Sequence, residues 1–198
     1  RLFTQGRYNP SIAVAVTGSE IKEPQYYKVN KGALVSTLLS DELKNSGKRI
    51  ISGNVLTGEK VSYSGYLGFY HNQVTVIPEG NYHEFFGWAL PGFGKFSFSK
   101  AFFSWAHGTR KYRLDTNLHG GLRSYVMTGQ YEKVLPMDIL PMQLIKACLA
   151  EDIDLMEKLG IYEVDEEDFA LVEFIDTSKT EIQSIIRKGI DLVRKEMS

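Results

Sequence analysis

Apolar positions change their period partway along the chain. Over the first eighty residues they come in short runs cut by glycine and proline. Residues 12–16 are a compact apolar run stopped by Gly18, the pattern of a buried strand. Pro24 enforces an extended stretch before a second strand at residues 26–29. Leu34, Val35, Leu38 and Leu39 recur as one helical face, so a helix is expected to start after Gly32 and end near residues 44–47. Residues 49–52, the alternation over 59–63, and residues 73–77 ahead of Pro78-Glu-Gly80 predict three more strands. The order β-β-α-β-β-β lets one helix cover a small mixed sheet, an α+β solution.

The second half turns helical. Pro141 suits a first helical turn, where its missing N–H costs nothing, and Leu144, Ile145, Cys148 and Leu149 follow as a stripe. Residues 151–160 predict a short helix stopped by Gly160, and residues 165–168 predict an acidic helix start. Ser178-Lys-Thr-Glu181 reads as a capping box opening a last helix whose face is Ile182, Ile185, Ile186, Ile190, Val193 and Met197. Pro78 to His83 is the expected linker.

Charge sharpens this division. The net charge of −1 splits into +7 over residues 1–149 and −8 over residues 150–198. That suits docking surfaces of each sign, two mutually attracting halves, or two solvated faces. A single cysteine closes no internal disulfide and cannot supply a thiolate metal site. The longest stretch without a formal charge, residues 61–78, is interrupted by polar residues and glycines and does not read as a membrane span.

Local chemistry motifs are weak. Gly53 to Val61 imitates a phosphate loop, but Glu59 stands where the lysine belongs and Val61 replaces the hydroxyl. Gly92-Phe-Gly94 lacks the third glycine of a dinucleotide fingerprint. The four histidines (His71, His83, His107 and His119) share no metal-ligand spacing, and no Gly-x-Ser-x-Gly occurs. Cys148 reads as a small buried hydrophobe.

The anomaly is aromatic. Nine of the 24 aromatics fall within residues 85–105, on no single helix or strand period. They fit a core-filling wedge between the halves, a docking surface, or an apolar slot for a planar ligand such as a quinone. Arg110, Lys111, Arg113 and Arg123 beyond them fit an anionic partner, lipid headgroups or a solvated loop. A sequence pI near 6.5 and the acidic last third argue against nucleic acid.

Residues 84–102 (Glu-Phe-Phe-Gly-Trp-Ala-Leu-Pro-Gly-Phe-Gly-Lys-Phe-Ser-Phe-Ser-Lys-Ala-Phe), residues 131–144 and residues 165–171 resemble the A subunit of the Na⁺-translocating NADH:quinone reductase family. Residues 13–22 and 49–58 are similar to that family's soluble-ligand-binding β-grasp module. Ala89 and Gly94 depart from the family's usual pattern. The resemblance implies a C-terminal portion of a polypeptide more than twice as long. Residues 1–9 would end a preceding α/β domain. Residues 10–82 would form the β-grasp-like module, and residues 83–198 an aromatic arm and C-terminal helical domain.

It further implies a peripheral subunit on the cytoplasmic face of the bacterial inner membrane, docked on the membrane-embedded B subunit of a six-subunit sodium pump. NAD, flavins and iron centres would sit in other subunits, with ubiquinone or menaquinone as substrate. This stretch would bind no cofactor and carry no catalytic or metal residue. The related flavin-binding subunit of respiratory complex I holds a cluster on four cysteines, which Cys148 alone cannot do. Trp88, Phe93, Phe96, Phe98 and Phe102 are the candidate quinone or partner contacts. The rival is a free-standing β-grasp module that captures a soluble ligand.

Overall fold

The computed structural model describes residues 2–40, 43, 47–82, 84–87, 89–107, 112–125 and 129–198. It is mixed α+β and divides into two compact units, Arg1–Asn117 and Leu118–Ser198.

The first unit follows the alternation of its strands. After a short helix α1 (Leu2–Gln5), β1 (Ser11–Thr17) pairs antiparallel with β2 (Gln25–Asn30), from Ser11 opposite Asn30 to Val16 opposite Gln25. On its other side β1 runs parallel to β5 (Gln73–Pro78), with Ala15 opposite Gln73 and Thr17 opposite Thr75. β5 pairs antiparallel with β3 (Lys48–Ser52), and β3 with β4 (Glu59–Val61). The five-stranded order is β2-β1-β5-β3-β4.

Because side chains alternate, Val14 and Val16, Val74 and Val76, and Ile50 share one face. That face is buried against Val35, Leu38, Leu39, Leu43 and Leu67. The opposite face carries Ala15, Thr17, Gln73, Thr75, Ile77 and Ile51. Gly18 ends β1 at φ +116°, where an added Cβ would collide with the backbone of Val76.

The helix expected after Gly32 is instead a 3₁₀ turn at Val35–Thr37. Leu34 is extended and bridges Tyr66. The Val35 N–H goes to the Gly65 carbonyl at 2.9 Å, and the Leu67 N–H goes to Ala33 at 2.9 Å. The leucine stripe still buries its residues, but the bridge consumes the backbone groups that a helical first turn would use. Of the rest of that expected helix, residues 41, 42 and 44–46 lie outside the described residues.

The segment expected as a linker is tied down. Glu79 pairs with Arg49, and with Lys60 at 3.5 Å, while its N–H bonds Gly47 at 3.0 Å. Arg49 first, then Lys60, hold the Glu79 carboxyl below its ordinary range against the opposing effect of burial. The Gly80 N–H donates to Thr116 Oγ1 at 2.6 Å. His83 lies outside the described residues.

The second unit is helical. α2 (Pro141–Ala150) begins with Pro141 at its first position. α3 (Ile153–Lys158) is capped by Asp152, whose carboxylate accepts the Leu155 N–H at 3.0 Å, and Gly160 follows at φ +88°. The acidic start at Asp165 forms a capping box with Asp168 and leads through a 3₁₀ turn into α4 (Ala170–Ile175). α5 (Ile182–Glu196) buries Ile182, Ile186 and Val193 against Leu144, Ile145, Cys148, Met156 and Phe169. α2 and α5 approach closely enough that a Cβ on Gly189 would stand 2.6 Å from Cys148 Sγ.

The Ser178–Glu181 capping box does not form. Ser178 is buried and donates its hydroxyl to the Ser124 carbonyl at 3.0 Å. In the turn before α5 the Thr180 N–H goes to Asp176 Oδ2 at 2.8 Å, and in its first turn the orphan Gln183 N–H goes to Glu173 Oε2 at 2.7 Å.

Candidate functional site

Between Gly80 and Asn117 the chain leaves the sheet and returns to its starting point. The departing and returning segments of this excursion are clamped together. Gly80 bonds Thr116, and the Tyr82 hydroxyl donates to Asp115 Oδ2 at 2.7 Å. That bond to a carboxylate, with a smaller contribution from burial, raises the Tyr82 phenol above its ordinary value. A Cβ on Gly80 would clash with the Asn117 backbone, so glycine is required at the clamp.

Inside the excursion the aromatics pack on one another. The Phe103 N–H bonds the Pro91 carbonyl at 3.0 Å, and Phe93 lies 6.4 Å from Phe103. Phe102 covers Gly92, which has no room for a side chain there, and Lys95 stands 5.4 Å over the Phe102 ring. Phe96 meets Tyr112 edge-on at 5.5 Å. Lys95 also pairs with Glu84 and donates to the Gly87 carbonyl at 2.8 Å.

Of the expected contact residues, Phe93, Phe96 and Phe98 are 49%, 42% and 38% exposed, and Phe102 is half-buried. Trp88 lies outside the described residues. Phe85, Phe86, Phe103 and Trp105 are more than half exposed. Phe93, Phe96 and Phe102 make ring contacts with Phe103, Tyr112 and Lys95 respectively, and none of the described aromatics of residues 85–105 belongs to either buried core.

The returning segment makes a second feature, which the sequence did not single out. Tyr112 and Leu114 lie over the outer face of β5, leaving a cleft of about 260 Å³ lined also by Thr17, Val55, Gln73, Thr75 and Ile77. Arg113 fastens this segment through two bonds to Glu20 Oε1, at 2.6 and 3.1 Å. Lys48 stands 3.5 Å from the same carboxylate. Arg113 first, then Lys48, hold the Glu20 carboxyl below its ordinary range, against burial. The alternation Gln73-Thr75-Ile77 is the visible signal, since it puts two polar residues on a strand whose other face carries Val74 and Val76.

Elsewhere, buried Ser52 receives the Gly68 N–H at 2.9 Å and bonds His71 Nδ1 at 2.7 Å. Glu151, Asp152, Asp154 and Glu196 border a shallow acidic cleft in the second unit. No group of His, Cys, Asp and Glu among the described residues converges as a metal site, and no helix of theirs is long and apolar enough to cross a membrane. Cys148 is buried, and burial pushes its thiol up to about 11, the behaviour of a packing residue.

Within the five-stranded unit, residues 13–63 match the family described as "NQRA C-terminal domain". The chain is 40% identical over 197 residues to the A subunit of the Na⁺-translocating NADH-quinone reductase of Shewanella frigidimarina, covering 99% of this chain and 44% of that protein. The corresponding A subunits of Pasteurella multocida and Neisseria meningitidis are 39% and 38% identical, each over 99% of this chain. Over the residues it spans, the chain is similar to the A subunits of Na⁺-translocating NADH-quinone reductases. It spans less than half the length of these curated relatives.

Proposed function

We propose that this chain acts as a peripheral part of a sodium-pumping NADH:quinone oxidoreductase, docking on the membrane subunits of that complex, chiefly the B subunit. The observation that carries this reading is the continuous similarity over 99% of the chain to proteins named as the A subunit of that enzyme. The β1–β5 parallel pair flanked by antiparallel neighbours is read as the β-grasp-like module, and the clamped aromatic excursion as the docking arm. Phe85, Phe86, Phe103 and Trp105 offer apolar area of the kind found at interface cores. Lys100, which is exposed, would face anionic groups at a membrane surface.

In this reading the chain sits on the cytoplasmic face and does no covalent chemistry. NADH, flavins and iron centres belong to other subunits. Quinone contact, if made by this chain, falls on the arm at Phe93, Phe96 and Phe98. Affinity purification of membranes through a tag on this chain tests the assignment. Co-purification of membrane subunits is expected; recovery of the chain alone would favour the free-standing binding module. Quinone titration of the purified complex with those three phenylalanines changed to alanine tests the slot, and unaltered binding would remove it.

A further inference from the structure

We propose that the cleft between the outer face of β5 and the returning segment at residues 112–114 binds a small uncharged flat ring that presents an N–H beside a carbonyl. The argument begins with Thr75, which is 5% exposed and donates its hydroxyl to the Gly53 carbonyl at 2.8 Å. With its only proton spent, Thr75 Oγ1 can act toward Gln73 solely as an acceptor. The Gln73 carboxamide, 2.8 Å away, must therefore turn its Nε2 toward Thr75, which fixes the amide orientation. Nε2 donates its second hydrogen to Thr17 Oγ1 at 3.1 Å.

Both Gln73 donors are thus used internally. Its Oε1 has no hydrogen-bond partner among the described residues, so the cleft is lined by a rigidly held free acceptor. Thr17 has accepted from Gln73 and keeps its own O–H to donate. An acceptor beside a donor complements an N–H/C=O edge, as in a cyclic amide or imide.

The rest of the cleft sets size and charge. Val55, Ile77, Tyr112 and Leu114 supply apolar walls, and none of the described lining side chains is formally charged, which selects a neutral ligand. A volume of about 260 Å³ falls below that of sites for drug-sized ligands, about 300–1,000 Å³, and suits a single ring. The Arg113–Glu20 bonds hold the roof in place.

The test is a titration of the ¹⁵N-labelled 198-residue chain with uracil, followed by two-dimensional NMR. Saturable shifts of the Gln73 side-chain amide and the Gly53 and Thr17 backbone signals are expected, with a dissociation constant on the order of 1 mM for so small a probe. 1,3-Dimethyluracil, which lacks the N–H, should bind at least about tenfold more weakly. Gln73→Met should abolish the uracil shifts, and Val55→Trp, at the exposed rim, should block entry. The spectral dispersion of each variant reports that it remains folded. Absence of saturable shifts, equal binding of the dimethylated ring, or undiminished binding to folded Gln73→Met or Val55→Trp would each overturn the proposal.

Discussion

Tyr131 donates its phenolic hydrogen to Asp176 Oδ1 across 2.6 Å, joining two buried side chains 45 residues apart in sequence. The same carboxylate accepts the N–H groups of Ser178 and Thr180 at 3.0 and 2.8 Å and so organises the turn into α5. Tyr131→Phe would leave a buried carboxylate short of one bond at almost unchanged packing. A loss of about 1.5–3 kcal/mol is expected in urea unfolding followed by helix circular dichroism, with an unchanged m-value. A loss under about 0.5 kcal/mol would show that the bond contributes little. Burial, then the Asp176 bond, raises the Tyr131 phenol well above its ordinary value of 10. Its contribution is therefore complete below pH 10 and is lost as the pH climbs through the raised value.

Gly189 is where steric space outweighs helix propensity. Alanine there would gain about 1 kcal/mol of propensity, but its Cβ would stand 2.6 Å from Cys148 Sγ and 3.2 Å from Met156 Sδ. Overpacking of this kind costs about 1–3 kcal/mol, so Gly189→Ala should destabilise. Cys148→Ala in the same chain should recover part of the loss. A double-mutant cycle with no coupling between positions 148 and 189 would refute the contact.

The Cys148 thiol, at about 11, is almost wholly protonated at pH 8 as well as buried. An aromatic disulfide reagent should label it at least about a hundredfold more slowly in buffer than in denaturant. Comparable rates would mean that the α2–α5 contact opens readily.

Glu20 and Glu79 are both held below the ordinary 4.5, through Arg113 and Arg49 respectively. A lowered carboxyl stabilises the fold above its unfolded value and ceases to do so as the pH falls through the folded one. Stability should therefore drop below about pH 4.5 and be insensitive to these groups between about pH 6 and 8. Glu20→Gln should cost only about 0.5–1 kcal/mol at pH 7, because Arg113 is 67% exposed and screened. It should also shallow the acid limb of the urea-midpoint profile. An acid limb as steep as the parent's would exclude Glu20 from it.

All five strands and the helices after Pro141 were legible because alternation and local caps act over a few residues. Pro141 and Gly160 mark their helix ends as their chemistry requires. Two local readings failed for one physical reason. The leucines at 34–39 fit a helix, and Ser178 fits a cap, but distant groups claim the backbone or hydroxyl first: Gly65 and Leu67 in one case, Ser124 in the other. The cleft's polar floor was legible in the alternation of Gln73 and Thr75, but its closure was not, for the same reason. Thr17, Gln73 and Tyr112 meet only after the excursion has closed, and no periodicity encodes that closure. The aromatic cluster itself was plain, whereas its exposure was not, since composition does not distinguish a core phenylalanine from a surface one.

The clamp at Gly80–Thr116 and Tyr82–Asp115 fixes where the excursion departs and where it rejoins, independently of what lies between. The entropy of closing a loop grows only slowly with its length. The intervening stretch can therefore be shortened, lengthened or exchanged with no change in strand register. Evolution, or an engineer, can remodel the exposed aromatic surface as a cassette while the sheet stays as it is.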